Sequence, residues 1–210
     1  MSRQDWREVL TRYIAEQARP IEKYGHQPRL YALTREVAAH STPSLTPNLD
    51  YDDDVVFAAA WLHDLGVFTG HRPEDLALLA CWDSTAYALE KSPAILLDIA
   101  FPAAKVPQVL EAIRTHQPAH DPQTLEAILL RDADILEQLG AVGILRTVCK
   151  VGRDTRFATF TQAVASLRQA LDTLPQLLRL PASRTLAAPR VEALRAFLKS
   201  VASEAQGYLH

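Results

Sequence analysis

The sequence predicts an all-α helical bundle, and three observations predict it. Glycine is scarce, 7 in 210 residues, and most of the 13 prolines fall between segments rather than within them. The segments so divided carry apolar residues at helical spacing. No run alternates apolar and polar residues as a half-buried strand would.

The elements follow in order. A first helix is expected near 3–18, with Trp6, Val9, Leu10, Tyr13 and Ile14 on one face, and a second near 27–40 through Leu30, Leu33 and Val37. Residues 41–51, with Pro43 and Pro47, read as a loop. A central helix near 52–65 is acidic in its first turn and stopped by Gly66. Val55 to Leu62 leave no polar stripe, so this helix should be buried on nearly every side. Further helical patterns cover 73–90, 107–116 and 124–147, the last interrupted near Gly140 or Gly143. Two amphipathic helices close the chain at 160–178 and 189–205.

The length supports one core, so a single domain over 1–210 is expected. Hydrophobic residues are 48% and charged residues 22%, an ordinary globular balance. A net charge of −3 offers no basic footprint for extensive nucleic-acid binding. The start lacks the apolar core of a signal peptide, and no apolar run approaches membrane-spanning length. Cys81 and Cys149, in apolar contexts, read as reduced core residues. A cytoplasmic protein is the expectation.

The central helix ends on His63-Asp64. A carboxylate in a dry interior must be paired, neutralised or bound to a metal. No Lys or Arg lies near Asp64 in sequence, and histidine is the commonest metal-ligand type. His26 lies in line with Leu30, Leu33 and Val37 and so points to the core. Alone it would read as a core histidine with a satisfied hydrogen bond; beside a His-Asp pair it becomes a candidate ligand. A further ligand is expected from Asp132-Ala133-Asp134, two carboxylates in an apolar helix. Two positions apart, they face roughly opposite ways. Periodicity places Asp132 with Leu125, Leu129 and Leu136, unless a helix starts or bends near it. A second pair, His120-Asp121, lies between Pro118 and Pro122, where an exposed turn explains it.

Tyr24-Gly25-His26, then Ala59-Ala60-Trp61-Leu62-His63-Asp64-Leu65-Gly66, then Val109 to His116, then Asp132-Ala133-Asp134-Ile135-Leu136 with Leu139-Gly140-Ala141 resemble the HD superfamily of metal-dependent phosphohydrolases. The resemblance is to a small stand-alone bacterial subgroup. It implies an HD core over about 22–147, with accessory helices over about 155–205. It implies a divalent ion (Mn, Mg, Fe, Co or Zn), one or two, held by His26, His63, Asp64 and Asp134, with Asp132 as the alternative. His116 becomes a candidate for substrate contact or general acid, with Asp64 in the catalytic set, and His71 a candidate for a second ion. The implied reaction is hydrolysis of a phosphate ester or anhydride in a small molecule, a nucleotide before others. An HD-fold binding module with little turnover and, last, a di-iron oxygenase are the alternatives. A homodimer stays open.

One departure stands out. The family commonly carries Lys or Arg directly after the last aspartate, and this chain has Ile135. Arg35, Arg114, Arg131 and Arg146 are the candidates to meet a phosphate instead.

Overall fold

The computed structural model describes residues 3–40, 50–153 and 157–210; the loop expected at 41–51 lies mostly outside them. Two units are delimited, Met1–Arg131 and Asp132–His210. Among the described residues the structure is helical, with one isolated bridge between Thr69 and Arg72.

In the first unit, α1 (Arg3–Gln17), α2 (His26–His40) and α6 (Val106–Thr115) pack around α3 (Asp53–Leu62), the central helix expected from its composition. Every residue of α3 from Asp54 to Leu62 is buried. Asp52 caps it, its side chain accepting from the Asp54 amide. The helix stops earlier than expected, with His63 as its C-cap, and Asp64 begins a 3-10 turn at Leu65–Val67.

The pattern over 73–90 forms two helices rather than one. Asp75 caps α4 (Leu76–Ala80) and Asp83 caps α5 (Ser84–Asp98), each carboxylate accepting from amides of the following turn. No residue of α4 is buried, and Leu76 and Leu78 are exposed.

The helix α7 (Leu125–Gln138) runs through Asp132 without a break. The interruption near Gly140 is observed: this residue has φ +79° and begins α8 (Gly140–Val148). A positive φ suits glycine because it has no Cβ to clash. In the second unit α8, α9 (Phe160–Leu177) and α10 (Pro181–Ala205) pack on one another. The last helix starts eight residues before Pro189, the expected boundary. Pro181 occupies its first turn, and Pro189 sits within it on the exposed face.

Both cysteines are free but exposed, a correction to the expected core placement. They are the C-caps of α4 and α8, and a helix end tolerates an outward side chain whatever its sequence neighbours are. No helix of the described residues is long and apolar enough to cross a membrane.

The acids opening α3 do more than favour the helix dipole. Arg7 of α1 donates to Asp53 and Asp54 at 2.8 and 2.7 Å and to the Tyr31 hydroxyl of α2 at 3.2 Å. Its guanidinium lies over the Phe57 ring. Lys105 reaches Asp52 and Asp54 at 2.7 and 3.0 Å. Burial opposes the charge on Arg7, but its hydrogen bonds to Asp54 and Asp53 outweigh it and hold the group firmly protonated. The network ties α1, α2 and the approach to α6 onto the head of α3. Arg7→Ala is expected to destabilise the protein by about 2–3 kcal/mol in chemical denaturation, because Asp54 stays buried without the charged hydrogen bond from Arg7.

Candidate metal centre

Three side chains converge where α2 begins and α3 ends. His26 is the first residue of α2 and 3% exposed; His63 caps α3 and is 2% exposed. Their Nε2 atoms are 3.1 Å apart. The Asp64 carboxylate lies 3.6 Å from His26 Nε2 and 3.7 Å from His63 Nε2. Among the described residues, these three form the group of ligating atoms close enough to share one ion.

The second nitrogen of His63 shows how the ring is oriented. Its Nδ1 lies 3.0 Å from the Ala60 carbonyl, which can only accept, so Nδ1 carries the proton. In its neutral form His63 then presents an Nε2 lone pair toward His26. Two ligands bound at about 2.1 Å and at right angles lie about 3.0 Å apart, and at tetrahedral angles about 3.4 Å. The observed 3.1–3.7 Å overlaps those separations, and two imidazoles with a carboxylate are a donor set for a divalent ion. The residues fit the group.

Asp64 corrects one expectation. Its side chain is 24% exposed rather than buried, because it stands past the end of α3. It opens the centre toward solvent instead of sealing it.

His116 caps α6 and is 5% exposed, with its ring edge against His63 at 5.0 Å between centroids. Its Nδ1 is 2.6 Å from the Ile113 carbonyl, so Nδ1 donates there and Nε2 is left to exchange a proton. His71 lies elsewhere in the bonding pattern. Nε2 donates to the Gln17 side chain and Nδ1 accepts from the Tyr87 hydroxyl, both at 2.9 Å. Burial lowers its pKa, which favours this neutral form.

The two aspartates of α7 differ as their spacing requires. Asp132 is fully buried and accepts from the backbone amides of Arg179 and Leu180, at 2.9–3.1 Å, just before α10. Asp134 is half-buried and accepts from Gln138. Neither belongs to the group of three. Ile135 is fully buried. His120 and Asp121 are exposed, as the turn reading expects.

The arginines expected to meet a phosphate have these surroundings. Arg114 bonds Glu111, Arg146 pairs with Glu137, and buried Arg131 donates to the Pro118 carbonyl. Arg35 is exposed, over the Tyr31 ring. The Arg7–Lys105 network escaped the sequence reading, although Asp52-Asp53-Asp54 was its visible half.

An all-helical unit in which two buried imidazoles meet a carboxylate is, by class, a helical domain with a candidate divalent-metal centre. The chain belongs to the HD domain family, whose pattern matches residues 24–139, more than half of its length. No curated protein matches the sequence. Among solved structures, the Lin1889 protein of Listeria innocua is similar at TM-score 0.69 and 16% identity, with 100% of each chain covered. An HD-superfamily hydrolase of Bacillus thuringiensis is similar at TM-score 0.66 and 18% identity, covering 97% of this chain and 98% of that one. Bacillus subtilis YpgQ in complex with ADP is similar at TM-score 0.67 and 18% identity, covering 97% of each. At these identities the likeness is one of fold.

Proposed function

We propose that the protein is a metal-dependent phosphohydrolase that cleaves a phosphate ester or anhydride of a small molecule, a nucleotide in particular. The observation that carries this reading is the 3.1 Å approach of His26 Nε2 to His63 Nε2 beside Asp64. Membership of the HD family supports the hydrolytic class. The nucleotide is supported by the ADP complex of YpgQ, a relative in fold.

In this reading His26, His63 and Asp64 hold the ion, and Asp134 is the fourth ligand. Asp132 is the weaker choice, because its carboxylate already serves the amides of Arg179 and Leu180. A bound divalent ion supplies polarisation of a phosphoryl oxygen and acidifies a coordinated water. His116, fixed through Nδ1 by the Ile113 carbonyl, would serve as general acid when Nε2 also carries a proton: that proton would pass to the leaving oxygen as a water oxygen bonds to phosphorus and the old P–O bond breaks. The exposed edge of Asp64 leaves room for substrate to approach.

A second reading has one observation in its favour. Ile135, buried, replaces the cation that the family commonly places there, so this chain has one fewer means of steadying a phosphate. An HD-fold binding module would then hold ion and nucleotide with little turnover. Phosphate release from nucleoside mono-, di- and triphosphates with added Mn²⁺, beside an Asp64→Ala variant, separates the two. Turnover that Asp64→Ala abolishes is the expected result. Ligand-induced thermal stabilisation without product would favour the binding module. No turnover of any phosphate ester or anhydride overturns the hydrolase.

A further inference from the structure

The three residues that converge at the centre are held by different means. His26 and His63 are buried, so packing restrains their rings, and Ala60 orients His63. Asp64 is partly exposed and has left the helix, with φ −99° and ψ 14°. The backbone turn that follows is therefore one of the things that set where its carboxylate stands.

That turn is closed by the Val67 amide, which donates to the Asp64 carbonyl at 3.0 Å. Gly66 lies within it, and its carbonyl accepts the indole N–H of Trp82 at 2.8 Å. The absence of a side chain at Gly66 is required. A Cβ there would stand 2.4 Å from the Ser84 carbonyl oxygen and 2.7 Å from its Cα, both backbone atoms. The start of α5 thus lies directly on the turn. Trp82 is itself braced: its ring packs on Tyr87, whose hydroxyl bonds His71, which in turn bonds Gln17 of α1.

We infer that Trp82 is a positioning residue for Asp64, acting through the Gly66 carbonyl to aim the carboxylate at the ion shared with His26 and His63. This rests on the metal reading above. A partner bonded directly to a ligand usually changes metal affinity by about 10–100-fold when lost. Trp82 bonds the backbone two residues beyond Asp64, so its loss is expected to cost less, about 3–10-fold.

The test is titration of the metal-free protein with Co²⁺, followed by visible absorption, on Trp82→Phe and Trp61→Phe. The first keeps an aromatic ring and deletes the bonded N–H. The second deletes a buried indole N–H that has no hydrogen-bond partner among the described residues. Trp82→Phe is expected to weaken Co²⁺ binding by about 3–10-fold and alter its spectrum, while the metal-free thermal midpoint falls by only about 2–4 °C. Trp61→Phe is expected to lower the midpoint by at least as much and leave affinity and spectrum at wild-type values. Equal ion binding in Trp82→Phe and wild type, or equal losses in the two variants, overturns the positioning role alone. A wild-type protein that binds no Co²⁺ overturns the metal reading and the role together.

Discussion

Replacing His63 with alanine is expected to abolish divalent-ion binding. His63 Nε2 lies 3.1 Å from His26 Nε2, and its removal leaves His26 and Asp64, 3.6 Å apart, with only the proposed Asp134 beside them. The loss should exceed the roughly 10–100-fold that an outer partner costs, because a lone pair in the centre itself is gone. Thermal unfolding with and without ion measures it. At an ion concentration 100 times the dissociation constant, wild type should gain about 2.7 kcal/mol, reversed by a chelator. The variant should gain nothing. Each protein is compared with itself, so the cavity left by the missing ring does not enter.

The second large effect is a double dissociation on α7. Asp132→Ala strands the amides of Arg179 and Leu180 and is expected to cost about 2–4 kcal/mol of folding stability. Ion affinity should stay near wild type. Asp134→Ala removes a half-buried side chain bonded to Gln138. It should lose less folding stability than Asp132→Ala, which removes a fully buried carboxylate, while its ion affinity falls steeply. Chemical denaturation and ion titration on the two variants decide the assignment, and the opposite pattern would transfer the ligand to Asp132.

The sequence made the helices legible because apolar spacing inside a helix reports which residues share a face. That logic placed His26 with Leu30, Leu33 and Val37 and gave α3 its buried surroundings, and the structure bears both out. It fails at helix ends. Asp64 looked buried because it continues an apolar run, yet it stands beyond the last helical residue and is partly exposed. Cys81 and Cys149 were misplaced for the same reason, each being a C-cap. Capping aspartates at 75 and 83 split a pattern that periodicity alone reads as one helix. Pro189 looked like a helix start, but a proline on an exposed face can lie within a long helix that neighbours support.

Contacts between distant segments were the least visible. Asp52-Asp53-Asp54 announce a helix start, but nothing in the sequence names Arg7 and Lys105 as their partners. Nothing in the sequence shows that Asp132, the alternative to Asp134 as a ligand, accepts from the amides of Arg179 and Leu180. The donor to the Gly66 carbonyl, Trp82, is equally silent in sequence.

The most direct measurement is an anomalous-difference map from crystals grown with Mn²⁺. One strong peak within about 2.3 Å of His26 Nε2, His63 Nε2 and an Asp64 oxygen is the result expected from bond lengths of this kind. Crystals saturated with Mn²⁺ that show no peak touching those three side chains would contradict the account.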